Sequence, residues 1–305
     1  MRFGLLGTGY WAVQTQGAAL AAHPEAELVA VWGRDPAKAA RVADRYGARA
    51  YPVLDALWSD VDAVAMALPP DVQAELAVRA AEAGRHLLLD KPLALTVEAA
   101  DRVVAAVRRR RLSSVVFFTN RFYPAVEAFL AEAAQAGRGG GWDGARVAML
   151  ASIFGPDSPY AGSTWRHKHG GLWDLGPHAL SVILPVLGPV DRVAAMDAPH
   201  GTTHAMLHHA GGAVSTFAVS IEAPEAAVSH ELAFHGPAGL ASLPPRGGDV
   251  LAAFGAAVSQ LVRDARAEVT AHPCDVRFGR EVVAVLAAAD AARRTGQATP
   301  VPGPP

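Results

Sequence analysis

Short apolar runs alternate with alanine-rich stretches through the first 120 residues. The runs are nearly unbroken in hydrophobic character, which is typical of strands buried on both faces of a parallel sheet. The stretches between them repeat apolar residues at helical spacing, so strands and helices alternate. We therefore expect a doubly wound α/β domain over residues 1–119. The pattern predicts strands at Arg2–Gly7, Glu27–Trp32, Ala63–Leu68, His86–Asp90 and Ser114–Thr119, and helices near Tyr10–Ala22, Pro36–Tyr46, Asp71–Ala83 and Val97–Arg109.

From about Asn120 the pattern changes to strands of alternating polarity, which favours a mostly antiparallel open sheet with helices on one face. The Gly211-Gly212 pair between two of these strands predicts a hairpin turn. We expect an α+β domain over residues 120–305. Its predicted strands are Ala145–Phe154, Val190–Asp197, His204–His209, Ala213–Ile221 and Ser229–His235, and its predicted helices lie near Pro124–Ala136, Val250–Ala265 and Asp275–Arg293.

Composition and charge narrow the class of protein. A chain of 305 residues, 51% of them hydrophobic, is long enough for two packed domains. The formal charge of −2 gives no electrostatic reason to expect nucleic acid or an anionic membrane as partner. The single cysteine, Cys274, excludes an internal disulfide and fits a reducing compartment. Because the sequence has neither a leader pattern nor an apolar span of bilayer length, we expect a soluble cytoplasmic protein.

A glycine motif at the end of the first strand predicts a dinucleotide site. Gly7-x-Gly9-x-x-Ala12 follows a strand and opens a helix, which is the context that this fingerprint requires. The first glycine permits a tight turn, the second lets backbone approach a pyrophosphate, and the small third residue permits close helix packing. The helix N-terminus then receives the negative charge. The cofactor-binding candidates near the first, third and fourth predicted strands are Gly7, Thr8, Gly9, Tyr10, Trp11, Ala12, Leu68, Pro69, Asp90 and Lys91.

The end of the second predicted strand bears on the choice between NAD and NADP. A carboxylate there would bind the adenosine ribose hydroxyls and repel a 2′-phosphate, but the chain has Gly33 followed by Arg34, with Lys38 one helical turn further on. Guanidinium suits phosphate because its planar donors form several hydrogen bonds at once. We favour NADP. The alternative is an NAD enzyme in which Asp35 holds the ribose and Arg34 stacks on adenine.

Two further segments carry residues suited to proton transfer. Lys91 follows the predicted strand that ends at Asp90 and precedes Pro92, and a lysine there can exchange a proton beside a bound dinucleotide. Asp174 and His178 are four residues apart, which on a helix places them one turn apart on one face. A histidine oriented by a carboxylate can donate or accept the proton that moves when a carbonyl exchanges a hydride. These segments together indicate hydride-transfer chemistry.

The order and spacing of four motifs resemble the Gfo/Idh/MocA oxidoreductases, the glucose–fructose oxidoreductase and inositol dehydrogenase group. The resemblance covers nearly the whole chain and departs from the usual pattern at Asp90, where the family commonly has glutamate, and at Ser181, where an acid often follows the histidine by three positions. The motifs are Gly7-x-Gly9-x-x-Ala12, Asp90-Lys91-Pro92, Asn120-Arg121-Phe122 and the run Gly170-Gly171-x-x-Asp174-x-Gly176-x-His178.

The resemblance implies a Rossmann domain followed by an α/β domain whose open sheet often mediates oligomerisation, so a homo-oligomer (dimer or tetramer) is expected. It also implies a catalytic trio, here Lys91, Asp174 and His178, with lysine and histidine contacting the reacting oxygen. The Lys91-Pro92 bond is often cis in such proteins. The substrate-binding candidates are Lys91, Asn120, Tyr123, Trp165, Arg166, Asp174 and His178.

The function expected is an NAD(P)-dependent dehydrogenase or reductase acting on a CH–OH group, or its carbonyl, of a sugar-like or cyclic polyol substrate. Two alternatives share these motifs: a glycoside hydrolase that oxidises its substrate transiently with a tightly bound cofactor, and a cofactor-binding protein with little turnover. His204 and His208 share a strand face but no acid or thiolate in sequence completes a metal set, so we expect no metal.

Overall fold

The computed structural model describes residues 1–303, which form two compact units. The first unit comprises Met1–Phe122 and Gly248–Arg280, and the second comprises Tyr123–Gly247 and the chain from Glu281 onward. The strands are β1 (Arg2–Leu6), β2 (Glu27–Trp32), β3 (Arg49–Ala50), β4 (Ala63–Met66), β5 (His86–Asp90), β6 (Ser114–Phe117), β7 (Gly144–Leu150), β8 (Val190–Ala198), β9 (Thr202–His209), β10 (Val214–Ser220), β11 (Ser229–Gly236), β12 (Gly239–Ser242) and β13 (Thr299–Pro300).

Apart from the first, the helices that the sequence pattern predicts begin within one residue of their predicted starts, whereas the helices at Leu54–Leu57 and Thr164–Leu187 were not predicted. A π-helical segment, Ala12–Gly17, directly precedes α1, so the predicted first helix is wound more loosely at its start. The helices are α1 (Ala18–Ala22), α2 (Pro36–Tyr46), α3 (Leu54–Leu57), α4 (Pro70–Glu82), α5 (Val97–Arg110), α6 (Pro124–Arg138), α7 (Thr164–Leu187), α8 (Val250–Arg266) and α9 (Val276–Thr295).

The first unit contains a parallel sheet of six strands in the order β3-β2-β1-β4-β5-β6. The strand order reverses direction at β1, which creates the topological switch point between β1 and β4 where ligands bind in such sheets. The side chains of β4 and β6 are buried along their whole length, as expected for strands covered on both faces. The doubly wound fold predicted from the alternating pattern is confirmed.

The segment from Gly248 to Arg280 packs with the first unit, whereas the sequence pattern placed it in the second domain. Helix α8 covers the sheet beside β5 and β6, and the ring of Phe254 meets that of Phe117 edge-on at 4.9 Å between centroids. The backbone N–H of Val116 also donates to the carbonyl of Cys274 at 2.7 Å. These contacts join residues more than 100 positions apart, so local periodicity could not reveal them.

The second unit contains a seven-stranded sheet in the order β12-β11-β7-β10-β9-β8-β13. The sheet is mostly antiparallel, as predicted, and the Gly211-Gly212 pair lies in the turn between the antiparallel strands β9 and β10. The exception is β7, which pairs parallel with β10. The short strands β12 and β13 were not predicted, and β7 ends at Leu150 rather than at the predicted Phe154.

Within residues 1–303, no helix is both long enough and apolar enough to cross a lipid bilayer.

Candidate active site

The carboxyl ends of the parallel strands carry most of the residues that the sequence motifs single out in the first unit. All strands of a parallel sheet end at the same edge, so residues far apart in sequence come together there. At this edge, the fingerprint turn follows β1, Gly33 follows β2, Leu68 follows β4, Lys91 follows β5 and Asn120 follows β6.

The fingerprint turn has the conformation that its glycines predict. Gly7 has φ of +134°, and a Cβ there would lie 2.5 Å from the carbonyl oxygen of Ala67, so only glycine fits. The N–H of Gly7 donates to the carbonyl of Trp32 at 2.9 Å. A Cβ at Gly9 would meet no atom within 4 Å. The backbone at Gly9 therefore borders open space that a pyrophosphate could occupy.

The glycine that directly follows β2 has a packing reason. A Cβ at Gly33 would lie 2.6 Å from the Thr8 side-chain methyl, so the end of β2 contacts the fingerprint turn directly. The first side chain beyond this contact is that of Arg34, which is exposed.

Asp35 acts as the N-cap of α2. Its Oδ1 accepts hydrogen bonds from the backbone N–H groups of Ala37 at 2.9 Å and Lys38 at 3.1 Å. The Lys38 N–H is the main cause that holds the pKa of the Asp35 carboxyl below its ordinary value. Oδ1 of Asp35 therefore accepts two donors from the first turn of α2.

A basic pocket of about 360 Å³ lies between the fingerprint turn and α2. Its cations Lys38, Arg41 and Arg45 are spaced by three and four residues, so they lie on one face of α2. No carboxylate belongs to the pocket lining in the part of the chain that the structure describes. The lining residues are Thr8, Val13, Lys38, Arg41, Val42 and Arg45.

Lys91 lies in a turn directly after β5, and the Lys91-Pro92 peptide bond is cis, as the resemblance implied. The Lys91 N–H donates to Asp90 Oδ1 at 2.8 Å. The carboxamide of Gln73, a fully buried residue in the first turn of α4, hydrogen-bonds the backbone of this turn. Sequence motifs did not single out Gln73; the available signal was a polar residue on the buried face of an amphipathic helix.

Helix α7 carries the second group of candidate residues and bends at its glycine pair. Gly170 has φ of +66°, which interrupts the helix and favours glycine. A Cβ at Gly171 would lie 2.7 Å from Ser220 Cα, so the helix backbone packs directly against β10. Asp174 and His178 follow the bend in continuous helix, which places them one turn apart as predicted.

Asp174 is paired with Arg166 across the bend. Arg166 Nε donates to Asp174 Oδ2 at 3.0 Å, with side-chain exposures of 19% and 9%, so the ion pair is largely shielded from water. The guanidinium also donates to Ser163 Oγ and lies 4.4 Å from the centre of the Tyr160 ring. Arg166, a predicted substrate-binding residue, thus contacts the predicted catalytic carboxylate in the structure.

The other candidates differ in exposure. Tyr10 is exposed, Trp11, Leu68 and Pro69 are half-buried, and Asn120 is fully buried. Tyr123 is also buried, and its ring lies 6.0 Å from the guanidinium of Arg246. The Trp165 ring centre lies 4.6 Å from the Arg166 guanidinium. Lys91 and Asn120 belong to the first unit, and Asp174 and His178 belong to the second.

These features fit a dinucleotide. The open space at Gly9 suits a pyrophosphate, and the basic pocket beside the turn suits a further phosphate.

Comparisons with known proteins agree with this geometry. Residues 1–118 match the family described as "Oxidoreductase family, NAD-binding Rossmann fold", and residues 144–242 match the "GFO/IDH/MocA C-terminal domain".

Two sequence relatives share the name dTDP-3,4-didehydro-2,6-dideoxy-alpha-D-glucose 3-reductase. The protein from Streptomyces antibioticus is 34% identical over 194 residues, covering 62% of this chain and 57% of the relative. The protein from Saccharopolyspora spinosa is 31% identical over 230 residues, covering 70% and 67%. The matched region thus spans little more than half of the first relative.

Among solved structures, levoglucosan dehydrogenase in complex with NADH and levoglucosan superimposes with a TM-score of 0.85 at 20% identity, over 99% of both chains. At that identity the likeness shows a shared fold.

Substitutions of the two fingerprint glycines should have different effects: one should lower the stability of the fold, and the other should weaken dinucleotide binding. We expect Gly7→Ala to lower the free energy of unfolding by about 1–3 kcal/mol, because it forces a strained φ and a backbone clash. Gly9→Ala should change stability by less than about 0.5 kcal/mol, yet weaken dinucleotide binding at least about tenfold because its methyl occupies the space left for phosphate. Urea unfolding and nicotinamide fluorescence measure the two effects. Wild-type affinity in Gly9→Ala would contradict this site.

The ion pair between Arg166 and Asp174 should stabilise the folded protein. Arg166→Ala leaves a carboxylate shielded from water without its cation, and we expect a loss of up to about 3 kcal/mol in the free energy of unfolding. Lys168→Ala, an exposed change in the same N-terminal part of α7, is the matched control and should lose less than about 0.5 kcal/mol. Combining Arg166→Ala with Asp174→Asn should restore part of the loss, since no uncompensated charge remains. Equal stability of Arg166→Ala and the control would refute the pairing.

Proposed function

Because the chain belongs to the Gfo/Idh/MocA oxidoreductase family, we propose that it is an NAD(P)-dependent oxidoreductase acting on a CH–OH group, or the corresponding carbonyl, of a sugar-like or cyclic polyol substrate. The observation that carries this proposal is the placement of the Lys91 turn at the same sheet edge as the fingerprint turn. Ligands of open parallel sheets bind at that edge.

The proposed roles follow from the chemistry of each residue. The bound nicotinamide supplies the group that gives or takes a hydride. Lys91 and His178 hold and move the proton of the reacting oxygen, since ammonium and imidazole both donate and, when neutral, accept hydrogen bonds. Asp174 orients His178 from one helical turn away, and Arg166 in turn fixes the Asp174 carboxylate. The trio thus divides into two proton-handling groups and one orienting group.

The proposed cofactor is NADP in preference to NAD. Three features support it: Gly33 takes the place of a ribose-binding acid and is followed by the exposed Arg34, Asp35 caps α2, and three cations line the pocket beside the turn. A 2′-phosphate adds charge that such donors stabilise. The adenosine end of the dinucleotide is therefore assigned to the space between Thr8 and the basic face of α2.

The proposed substrate class rests on the chemistry at the start of α7 and on the relatives. The segment from Ser163 to His169 supplies hydroxyl, cationic and imidazole groups, which suit a polyhydroxylated ring. The named relatives include reductases of dTDP-linked sugars and an inositol 2-dehydrogenase from Rhizobium meliloti. A nucleotide-linked hexose and a cyclic polyol are the first two compounds to assay.

A homo-oligomer formed through the open face of the seven-stranded sheet is also proposed. Met196 and Met206 lie on adjacent strands, at 70% and 55% exposure, and Leu240 is exposed on β12. Patches of exposed large apolar side chains are typical of interaction surfaces.

Cofactor preference tests the NADP assignment. We expect tighter binding of NADPH than of NADH, followed by nicotinamide fluorescence. Arg34→Ala should weaken NADPH binding about 10- to 100-fold and leave NADH binding nearly unchanged, because a hydrogen bond to a charged group contributes about 1.5–3 kcal/mol. Arg110→Ala, at the exposed end of α5, is the matched control. A wild-type preference for NADH would make Asp35 the ribose ligand after all.

Turnover tests the oxidoreductase itself. With NADP⁺ and a panel of cyclic polyols and nucleotide-linked hexoses, we expect net formation of NADPH by the wild type. Lys91→Ala should reduce turnover at least about 100-fold, the usual contribution of a positioned acid–base group, and leave dinucleotide affinity within about threefold. Full turnover in Lys91→Ala would remove Lys91 from the mechanism. Cleavage of a glycoside with no net change in NADPH would instead favour transient oxidation.

A further inference from the structure

Gln73 contacts the Lys91 turn from a helix that precedes it in sequence. The residue is fully buried and lies in the first turn of α4, where its own backbone N–H donates to the Pro69 carbonyl at 2.8 Å. The side-chain Oε1 accepts from the Asp90 N–H at 2.9 Å. The side-chain Nε2 lies within donating distance of three carbonyls, those of Asp90 at 2.8 Å, Pro92 at 3.2 Å and Leu93 at 3.4 Å.

The Gln73 side chain supplies hydrogen-bond partners to backbone groups of the turn that would otherwise lack them. At Pro92 the chain has left the β5 ladder, and the carbonyls of Pro92 and Leu93 point into a region from which water is excluded. Buried carbonyl and N–H groups that lack hydrogen-bond partners destabilise the folded protein. A carboxamide is the side-chain group that presents an acceptor and two donors without charge, so glutamine can satisfy both kinds of backbone group at once.

The backbone of Lys91 is thereby held from both sides. Gln73 binds the residue before it and the residue after it, and the carboxylate of Asp90 accepts the Lys91 N–H at 2.8 Å. The direction in which the Lys91 side chain leaves the turn depends on these contacts. A misplacement of about 1 Å of a reacting group lowers catalysis on the order of 100-fold.

We propose that Gln73 is the positioning residue of Lys91: it fixes the turn from which the lysine reaches the reacting oxygen. The proposal rests on the function assigned to Lys91 above, and its test therefore includes a measurement that needs neither substrate nor turnover.

The chain offers an unusually direct probe, because Lys91 is one of only three lysines, with Lys38 and Lys168. Reductive methylation with ¹³C-formaldehyde gives each lysine a dimethylamine signal whose shift and pH titration report its surroundings. Lys91→Ala identifies the signal by its loss. The intact protein is used throughout.

The variants separate positioning from stability. Gln73→Met keeps the side-chain size and removes every hydrogen bond, and Gln73→Glu keeps the acceptor but loses the neutral donors. Leu57→Ala removes part of a buried side chain from α3, away from the turn, and is the control for destabilisation of the same unit.

We expect Gln73→Met to move the Lys91 signal, and to leave the signals of the other two lysines in place. In steady-state assays kcat should fall about 10- to 100-fold, with dinucleotide affinity within about threefold of wild type. Leu57→Ala should lower thermal stability and leave all three lysine signals unchanged. A structural role alone would give Gln73→Met the same pattern as Leu57→Ala.

Gln73→Glu adds a pH signature and serves if Gln73→Met folds poorly. The new carboxyl would face carbonyl oxygens in a buried place, so its pKa should be raised, and the protonated form can still donate to one carbonyl. At low pH the Lys91 signal should therefore approach the wild-type position, and it should move away as pH rises through that pKa.

A Lys91 signal that coincides with wild type in both Gln73 variants across the titration would overturn the proposal, as would unchanged kcat in both. Failure of the proposed function would give a different result. If Lys91→Ala turns over normally, Lys91 has no catalytic role, while the methyl signals still report whether Gln73 positions Lys91.

Discussion

The parallel sheet of the first unit is the constraint on which the candidate site depends. Its six strands run in one direction, so six separate segments of sequence end at one edge. The reversal of strand order at β1 opens a crevice at that edge. Backbone groups that leave the sheet there need partners, and the chain supplies them with a glycine turn after β1, a helix cap at Asp35 and the carboxamide of Gln73 after β5.

In the second unit the corresponding constraint is the bend in α7. Gly170 redirects the helix, Gly171 lets it rest directly on β10, and the Arg166–Asp174 pair joins the two sides of the bend. A largely buried carboxylate is costly without a partner, so the cation that stabilises Asp174 also fixes its direction. In the proposed mechanism each unit therefore supplies one proton-handling residue with a neighbour that takes no proton: Gln73 contacts the turn of Lys91, and Asp174, paired with Arg166, lies one helical turn from His178.

Much of the fold and of the candidate site could be predicted from sequence, because the sequence patterns that indicate them are local. Unbroken apolar runs give the parallel strands, the Gly7 turn has a fixed backbone requirement, and i, i+4 spacing places Asp174 beside His178. What could not be predicted depends on contacts distant in sequence. The return of α8 to the first sheet, the bond from Gln73 to Asp90 and the packing of Gly33 on Thr8 have no periodic signature. The pairing of Arg166 with Asp174 could not be predicted either, since it follows from the bend at Gly170.

The central claim is that the carboxyl edge of the six-stranded sheet is the dinucleotide site. Backbone amide NMR of the protein titrated with NADP⁺ tests it most directly, because each N–H reports its own surroundings. We expect the largest shifts on residues 7–12, 33–38 and 90–93. Saturable shifts confined to other parts of the chain would contradict a dinucleotide site at this edge. The absence of any shift at NADP⁺ concentrations well above cellular ones would contradict it as well.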